Sequence, residues 1–527
     1  MSTSTSRPRR SRAPKPLRSF DPRTGEVVGT VPATAPTDVA DAVAHARKVA
    51  PEWAAIAPEG RARILRGVRR RVYELLDDVV DTVSTECGKP RAEALAHDVV
   101  PAVMTLLYYE RTAARTLRAE RPGLLAGALV GVGTRVERRP YGVVGCITPW
   151  NYPFFLAVMA AAPALFAGNA VVLKPSEVTP GVGERLRAVL DVLPTGVATV
   201  VQGAGDVGAA LVDAPCDKIA FIGSPATGRK IAAAAARHLT PVVLELGGLD
   251  AAIVCDDADL DVATSGLLWS SFFNAGQTCA SIERVFVAED VADEFTTRLL
   301  AKLRRLRQGA GDEDLGALTF GPQLDTVRRH VDDAVAKGAR VLAGGPDAAR
   351  DDGTLFYPPT VLAGVTTDMD VLREETFGPV LPIVRVRDEH EAVRRTNEEG
   401  FNLTASVWTT DPRRARAIAS RIRAGTIAVN GHGETAGAPW APWGGVGESG
   451  YGRLNGRDGL REMTYPVTVA RNLLPAIKRP YWYPYDDDAR ALLRSAAAVL
   501  AAPGAADRAR HASALLRNVA RVVKSRL

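Results

Sequence analysis

The chain has 527 residues, 46% of them hydrophobic and 24% charged, an ordinary composition for a soluble globular protein. This length predicts two or three domains, because a single hydrophobic core rarely extends beyond about 300 residues. The net charge is +6, but twelve basic residues lie within the first 18 and the last 20 positions. Subtracting these twelve leaves a net charge of −6 on the rest of the chain, which argues against nucleic-acid binding.

The cysteine pattern predicts neither a disulfide framework nor a zinc site, and we expect no metal. The five cysteines are odd in number, widely spaced and form no CxxC motif. The N-terminal segment is rich in Ser, Thr, Arg and Pro and has no apolar region of a secretory signal. We therefore expect a cytoplasmic protein. The cysteines are Cys87, Cys146, Cys216, Cys255 and Cys279.

The predicted elements begin with a disordered basic tail over residues 1–18, followed by helices over residues 38–118. Strand-like runs then alternate with helical stretches, which predicts a parallel, doubly wound sheet. These runs are 143–147, 170–173, 198–201, 218–222 and 241–244. A second α/β block follows Gly248, and its strands include 251–254, 284–287 and 381–384.

No residue from Gly142 to Leu173 is charged, and part of this stretch is long enough to span a bilayer. The alternative is a buried helix followed by a buried strand. We favour the buried pair, because Pro163, Gly168 and Asn169 interrupt the stretch and the run after them is typical of a parallel-sheet strand.

Four segments carry residues suited to one chemistry. Cys279 ends the small-residue run Phe273–Cys279, and a cysteine in such a loop is a candidate nucleophile because a thiolate attacks readily near neutral pH. An inert buried cysteine is the alternative, and it suits the other four. Glu245 follows a buried strand and precedes two glycines, where a carboxylate is costly unless it is used. Asn151 lies in Thr148–Pro153, and Glu375 lies in Glu374–Pro379.

In this order, the four segments resemble the aldehyde dehydrogenase superfamily, from about Phe20 to about Thr464. The resemblance implies an α/β fold of two doubly wound domains, one for the cofactor and one for catalysis, with a small oligomerisation sheet. It also implies a homodimer or homotetramer. The implied boundaries are 19–121 and 141–247 for the NAD-binding domain, 248–447 for the catalytic domain, 122–140 and 462–474 for the oligomerisation segments, and 476–527 for a C-terminal extension.

The resemblance assigns three catalytic roles. Cys279 forms a thiohemiacetal and then a thioester with the aldehyde. The Asn151 amide and the Cys279 backbone N–H hold the oxyanion. Glu245 activates the water that releases the carboxylic acid, which favours hydrolysis over transfer of the acyl group to coenzyme A.

The hydride acceptor is expected to be NAD, with NADP as the alternative, since no flavin or metal signature is present. The resemblance gives Lys174 and Glu177 to the adenosine ribose, where a carboxylate repels the 2′-phosphate of NADP. The loop Gly223–Gly228 opens a helix, a geometry that receives a pyrophosphate. Glu375 is assigned to the nicotinamide ribose and Phe377 to the nicotinamide. The complete predicted cofactor set is Thr148, Pro149, Trp150, Lys174, Ser176, Glu177, Gly223, Ser224, Gly228, Leu246, Gly247, Glu375 and Phe377.

Two sequence features differ from the pattern that the family resemblance predicts. Gly203–Gly208 matches GxGxxG between a strand and a helix, but the family places this loop away from the pyrophosphate. In addition, Leu249 and Gly447 stand where the family often has Lys, and Ile222 where it often has Thr. These departures remove no catalytic group.

Three alternatives stay open beside an aldehyde dehydrogenase that forms a free acid. They are a coenzyme A-acylating enzyme, a catalytically silent binding or structural protein on the same fold, and a membrane-docking scaffold. The run Cys279–Arg284 resembles members that act on semialdehydes and on long apolar aldehydes. Residues 476–527 predict an aromatic cluster and a basic amphipathic helix, which either packs on the protein or contacts an anionic membrane peripherally.

Overall fold

A computed structural model describes residues 14–123, 131–350, 352–398, 400–473, 475, 479, 482–483 and 485–526. The chain forms two compact units. The first contains residues 1–117 and 139–465, and the second contains residues 118–138 and 466–527. The predicted tail at 1–13 lies outside the described residues, and strand β1 already begins at Leu17, inside the predicted tail.

The strands are β1 Leu17–Phe20, β2 Val27–Val31, β3 Val132–Pro140, β4 Val143–Ile147, β5 Ala170–Lys174, β6 Ala198–Val200, β7 Lys218–Gly223, β8 Val242–Leu246, β9 Asp250–Val254, β10 Ile282–Ala288, β11 Arg340–Ala343, β12 Thr360–Ala363, β13 Val380–Val386, β14 Phe401–Asn402, β15 Thr404–Trp408, β16 Thr426–Val429, β17 Val446–Gly447, β18 Gly450–Tyr451 and β19 Thr464–Asn472. The α-helices are Pro36–Ala55, Pro58–Glu74, Leu76–Cys87, Arg91–Glu93, Val100–Thr116, Pro153–Ala167, Pro180–Leu190, Gly205–Asp213, Pro225–Ala236, Leu260–Phe272, Ala292–Leu303, Gly321–Ala336, Glu389–Glu398, Pro412–Ala419, Gly456–Glu462, Asp487–Ala501 and Ala505–Arg526. A π-helical segment, Ala94–Val99, joins two of them.

The first sheet of unit 1 has the order β18-β8-β7-β4-β5-β6 within the described chain. The five strands from β8 to β6 run parallel, and β18 pairs antiparallel with β8. Strands β4 and β5 are buried at every position, because helices cover both faces of such a sheet. All five strands predicted for this region are present, which confirms the parallel, doubly wound arrangement.

The second sheet of unit 1 has the order β11-β12-β13-β10-β9-β15-β16 in the described residues. Its strands are parallel except β11, which pairs antiparallel with β12 at one edge. Strands β9, β10 and β13 were predicted. Strand β9 follows β8 after only three residues, so the chain passes from one sheet to the other directly beside Glu245. The α/β class with two such sheets is therefore confirmed.

The uncharged stretch is a buried helix and a buried strand, as predicted. Every residue of the helix Pro153–Ala167 is buried. In the described chain, no helix is long and apolar enough to cross a membrane.

Unit 2 contains the two segments that were expected to be extended. Strands β3 and β19 pair as a two-stranded sheet. After it, the helices Asp487–Ala501 and Ala505–Arg526 pack as a hairpin, in which Asn518 donates to the backbone oxygen of Ala491 at 3.1 Å. The predicted basic helix is present, but the helix that precedes it was not predicted. Part of the predicted aromatic cluster, at residues 480, 481 and 484, lies outside the described residues.

Candidate active site

Cys279 lies where two cavities of unit 1 meet, since it lines both. The first cavity has a volume of about 550 Å³ and walls of mostly apolar side chains. The second has a volume of about 810 Å³ and is lined by Asn151, Glu245 and Glu375 as well as Cys279. The structure thus brings together the four residues that the sequence singled out, although they are separated by up to 224 positions along the chain.

The loop before Cys279 has an unusual backbone. Asn274, Ala275 and Gly276 all have positive φ, at 53°, 53° and 73°. Residues other than Gly rarely adopt this conformation, and each instance costs on the order of 1 kcal/mol or more. At Gly276 a Cβ would collide with the carbonyl of Gly378, so no other residue fits without a shift of the backbone. The surrounding structure therefore holds the loop before Cys279 in a conformation that it would not adopt alone.

Polar side chains fix this loop in place. The Asn274 amide donates to the backbone oxygens of Asn151 and Gln277 at 3.0 and 3.1 Å. The Gln277 side chain accepts from Thr319 N–H at 2.8 Å and donates to Asn274 O at 2.9 Å. Thr278 shares a 2.6 Å hydrogen bond with the Tyr152 hydroxyl. The Asn-Ala-Gly-Gln-Thr run thus sets the position of Cys279.

Asn151 lies between β4 and the helix Pro153–Ala167, and it is almost fully buried. Its amide nitrogen donates to Gln277 O at 3.0 Å, which leaves its second N–H for another acceptor. Its side-chain oxygen has no hydrogen-bond partner in the described structure. An amide donor held beside a nucleophile is suited to stabilise an oxyanion.

A buried ion pair anchors the Asn151 loop from behind. Lys89 Nζ lies 2.9 Å from the Asp98 carboxylate and 2.7 Å from the backbone oxygen of Asn151. The other Asp98 oxygen accepts from the first N–H groups of the helix that follows, at Phe154 and Phe155. Both ion-pair side chains are inaccessible to solvent, so both charges depend on these partners.

Glu245 is the fourth residue of β8 and is only 1% exposed. Strand β8 continues one residue beyond it, and Gly450 of β18 pairs opposite it. Within the described chain, neither carboxylate oxygen has a hydrogen-bond partner of ordinary geometry. Burial raises the pKa of Glu245 to about 8, and the nearby Trp443 indole only partly offsets this effect. A carboxyl with this pKa can release and take up a proton near neutral pH.

Burial raises the pKa of the Cys279 thiol well above its usual value, and the charges of Glu245, Asp250 and Glu375 raise it further. Both effects favour the neutral thiol form of Cys279 over the thiolate. A base must take its proton before it attacks, and Glu245 lines the same cavity.

Glu375 and Phe377 lie on a loop held by a residue that the sequence did not single out. The buried Glu283 carboxylate accepts from the N–H groups of Thr376 and Phe377 at 2.7 and 2.8 Å. Phe377 has φ of 50°, so this clamp maintains a strained backbone. Glu375 accepts from Gly248 N–H at 3.1 Å, and burial and the charge of Glu283 raise its pKa well above normal.

The predicted cofactor residues divide into two groups. Eight line the 810 Å³ cavity: Pro149, Trp150, Gly223, Ser224, Leu246, Gly247, Glu375 and Phe377. The other five, Thr148, Lys174, Ser176, Glu177 and Gly228, do not line it. Among these five, Lys174 and Glu177 form an ion pair at 2.7 Å, and Gly228 lies where a Cβ would clash with Leu246. Gly228 thus allows the helix Pro225–Ala236 to approach β8 closely.

The cavity fits a dinucleotide at two points. The N-terminus of the helix Pro225–Ala236 lies against it, with Gly223, Ser224 and Ala226 in the wall, and helix N-termini attract phosphate. Trp150 and Phe377 pack edge to face with ring centres 5.6 Å apart, which provides an apolar wall. No residue of the GxGxxG run Gly203–Gly208 lines this cavity.

The three departures from the family pattern leave the site intact. Leu249 is buried, and Arg284 donates to its backbone oxygen at 2.6 Å. Ile222 lies in the cavity wall, and Gly447 has φ of 65°, which favours glycine over lysine.

Sequence reasoning missed Lys89, Asp98 and Glu283. The sequence did contain an indication for Lys89, because this lysine stands between Gly88 and Pro90, two residues typical of a helix end. Asp98 and Glu283 have no such local signal, because their partners are far away in the sequence.

Comparison with known proteins decides the family. The sequence model of the family described as "Aldehyde dehydrogenase family" matches residues 9–469 of this chain. The chain belongs to the aldehyde dehydrogenase family.

Relatives within this family include a 4,4′-diapolycopene aldehyde oxidase of Methylomonas sp., 39% identical over 89% of this chain and 88% of the relative. A putative succinate-semialdehyde dehydrogenase [NADP(+)] of Mycolicibacterium smegmatis is 42% identical over 85% of this chain and 87% of the relative. The solved NAD-dependent aldehyde dehydrogenase from Sinorhizobium meliloti aligns with a TM-score of 0.83 and 36% identity, covering 87% of this chain and 92% of that one. The protein is an NAD(P)-dependent aldehyde dehydrogenase, and the resemblance stated from the motifs is confirmed.

Proposed function

We propose that this aldehyde dehydrogenase converts an aldehyde to a free carboxylic acid through a thioester on Cys279. The observation that carries the proposal is the position of Cys279 in both cavities, together with Asn151 and Glu245 in the wall of the larger one. An aldehyde in the apolar cavity would approach the Cys279 sulfur from one side. A dinucleotide in the larger cavity would approach it from the opposite side.

Glu245 accepts the thiol proton as the Cys279 sulfur bonds to the carbonyl carbon, which gives a thiohemiacetal. The free amide N–H of Asn151 and the backbone N–H of Cys279 hold the resulting oxyanion. When bound, NAD(P)+ supplies the acceptor for the hydride that leaves this carbon, and a thioester remains. Glu245 releases the thiol proton to solvent and then takes a proton from water as the water oxygen attacks the thioester carbon. The carbon–sulfur bond breaks, Glu245 returns its proton to the departing sulfur, and the carboxylic acid leaves with the thiol restored.

The proposed cofactor contacts follow from position and charge. Gly223 and Ser224 would hold the pyrophosphate at the helix N-terminus. Glu375 would accept from the nicotinamide ribose hydroxyls, and Phe377 would pack beside the nicotinamide. Lys174 and Glu177 would hold the adenosine ribose, which favours NAD over NADP.

The test separates hydrolysis from acyl transfer. Purified protein is given NAD+ and an aldehyde, with and without coenzyme A, and the product is identified by mass spectrometry. We expect the free acid and NADH in both cases. Formation of acyl-coenzyme A would overturn the hydrolytic assignment, and the absence of NADH with every aldehyde would favour a silent binding protein.

We also propose a cytoplasmic homodimer or homotetramer joined through the β3–β19 sheet. All five cysteines are unpaired, which suits a reducing compartment. A two-stranded sheet is marginal alone, and most of β19 is exposed or half-exposed. Light scattering after size-exclusion chromatography tests this, and a monomeric mass at micromolar concentration would contradict it.

A further inference from the structure

The 550 Å³ cavity beside Cys279 has the size of a site for a bulky small molecule. Aromatic and thioether side chains form a large part of its wall. Trp269 and Phe273 stack with ring centres 4.5 Å apart, and the His97 ring packs against both at 5.7 and 5.6 Å. Met104 and Met159 line the same space.

Among the described residues that line this cavity, none is Lys or Arg. The wall contains one histidine, His97, and burial lowers its pKa to about 4, so it is neutral at physiological pH. Among the described lining residues, the one carboxylate is that of the exposed Glu434, which would repel an anion. A substrate carboxylate would therefore lose its water here and gain no cationic partner, which is costly.

We propose that the substrate of the active site is a bulky apolar aldehyde without a second charged group. A semialdehyde carrying a carboxylate at its far end is a poor substrate. This inference rests on the proposed function, because it specifies what the cavity next to Cys279 accepts. Apolar contact with Trp269, Phe273 and the two methionines provides the binding energy, and Glu434 adds discrimination against anions.

A kinetic comparison tests the substrate class. Butanal and succinic semialdehyde share a four-carbon chain and differ in the terminal carboxylate, so they form a matched pair. We expect kcat/KM to be at least tenfold higher for butanal. From butanal to dodecanal, kcat/KM should rise by about two- to fourfold per methylene until the cavity is filled. A higher value for succinic semialdehyde, or no rise with chain length, would overturn the substrate class while leaving aldehyde oxidation intact.

The Glu434→Gln variant tests the repulsion. It should raise kcat/KM for succinic semialdehyde about three- to tenfold and leave butanal within twofold. Glu52→Gln, at an exposed position outside the cavity, is the matched control and should change neither value. Equal effects of Glu434→Gln on both aldehydes would show that its charge does not discriminate.

A binding measurement tests the substrate class without depending on the proposed reaction. Trp269, Trp440 and Trp443 line the cavity, so tryptophan fluorescence reports its occupancy. In the Cys279→Ala protein, dodecanal should quench this fluorescence at micromolar concentration, whereas succinic semialdehyde should not do so at a hundredfold higher concentration. Quenching by both at similar concentrations would contradict the inference even if no aldehyde is turned over.

A second inference comes from the C-terminal hairpin of unit 2. Asn518 contacts Ala491 and Ser495, and Arg521 lies 3.6 Å from Asp488, so the two helices are antiparallel. Each helix has positions that face the other helix, and the next residue in sequence after such a position points to one side of the hairpin. Because the two right-handed helices are antiparallel, this side is the same for both helices.

Exposed apolar residues occupy this side. Leu493 and Leu500, seven residues apart, follow the inward positions Leu492 and Val499 on the first helix. Leu516 and Val519 follow Leu515 and Asn518 on the second helix. Leu500 is 84% exposed and Leu516 is 69% exposed. We call these four residues, Leu493, Leu500, Leu516 and Val519, the apolar strip.

Basic and aromatic side chains accompany the apolar strip. Exposed basic residues lie on the remaining faces of the two helices. Arg490, Arg510 and Arg521 pair with aspartates of the hairpin, and Arg494, Arg517 and Lys524 are further exposed cations. The exposed Trp482, Tyr483 and Tyr485 precede the hairpin, and Tyr483 is 84% exposed. Tryptophan and tyrosine favour the boundary between an apolar phase and water, and long basic side chains extend toward anionic headgroups.

We infer that the hairpin binds the surface of an anionic lipid bilayer, with the apolar strip inserted and the basic residues at the headgroups. The charge complementarity favours a membrane over a second copy of the hairpin, which would place like charges together. An enzyme held in this way would receive its apolar substrate from the membrane.

The test is sedimentation of the full-length protein with vesicles of 30% phosphatidylglycerol in phosphatidylcholine. We expect binding that weakens in 0.5 M NaCl and falls at least tenfold in Leu500→Glu/Leu516→Glu. Leu239→Glu, at an equally exposed leucine of unit 1, is the matched control and should bind normally. Absence of wild-type binding would overturn the inference. A lower oligomer mass of the double variant, without vesicle binding by either protein, would assign the strip to a subunit contact instead.

Discussion

The ammonium group of Lys89 lies 2.7 Å from the backbone oxygen of Asn151 and also pairs with Asp98 at 2.9 Å. A residue 62 positions away thus fixes the loop that carries the proposed oxyanion donor. Lys89 acts through Asn151, so it is a positioning residue.

Lys89→Met should lower both stability and kcat, because it leaves the Asp98 carboxylate buried without its partner at a cost of about 3–5 kcal/mol. The double variant Lys89→Met/Asp98→Asn removes both charges and should recover most of the lost Tm. Its kcat should remain at least tenfold below that of the wild type, because the backbone oxygen of Asn151 still lacks its hydrogen bond from Lys89. Recovery of kcat together with Tm would show that the pair serves stability alone.

Cys279→Ser should abolish turnover while NAD+ binding is retained, because a serine hydroxyl is far less ionised than a thiol. The measurement is steady-state NADH formation together with a cofactor titration. Cys255→Ser, at a buried cysteine outside both cavities, is the matched control and should keep at least half of the wild-type turnover. Retention of more than about a tenth of wild-type kcat, a loss below ~1.4 kcal/mol, would exclude Cys279 as the nucleophile.

Glu245→Gln should slow release of the acid more than hydride transfer, if Glu245 activates water. Stopped-flow absorbance should then show a rapid burst of NADH followed by a slow steady state. If burst and steady state decline together, Glu245 acts mainly on the thiol proton.

The same variant should change how stability depends on pH. The folded-state pKa of Glu245 is raised to about 8, against 4.5 for an ordinary Glu, so the unfolded chain loses this proton at lower pH. Above about pH 4.5 this difference favours unfolding, and the effect grows until about pH 8. Glu245→Gln removes it, so its stability relative to the wild type should rise by on the order of a few kcal/mol between pH 5 and pH 8. Thermal unfolding at several pH values measures this, and a gap that is constant with pH would refute it.

Glu177→Gln should raise kcat/KM with NADP+ relative to NAD+, because it removes a carboxylate that repels the 2′-phosphate. It also frees Lys174 from its 2.7 Å ion pair, so that this cation can meet the phosphate. Asp206→Asn, in the GxGxxG run, is the control and should leave the ratio unchanged. An unchanged ratio for Glu177→Gln would show that this carboxylate does not contact the ribose.

The five parallel strands of the first sheet were predictable within two residues, because buried parallel strands leave continuous apolar runs such as Val143–Ile147. The four site segments were also recognisable, since each combines a reactive side chain with turn residues. The pairing of Gly450 with Glu245 was not predictable, because it joins positions 205 apart and involves a two-residue strand.

Other features depend on tertiary structure alone. Nothing local indicates that Asn274 and Ala275 adopt positive φ, since both are held there by packing and by hydrogen bonds from distant segments. The Glu283 clamp spans 93 residues to Thr376 and has no sequence pattern of its own. Sequence spacing does not reveal that Asp250 and Glu375 lie close enough to Cys279 to raise the pKa of its thiol.

The raised pKa of the Cys279 thiol has a consequence for the oxidation of this sulfur. Peroxides react with thiolates far faster than with thiols. Since a raised pKa lowers the thiolate fraction, we expect peroxide to oxidise Cys279 slowly between turnovers. The carboxylates that raise its pKa would thus also preserve the proposed nucleophile for the next aldehyde.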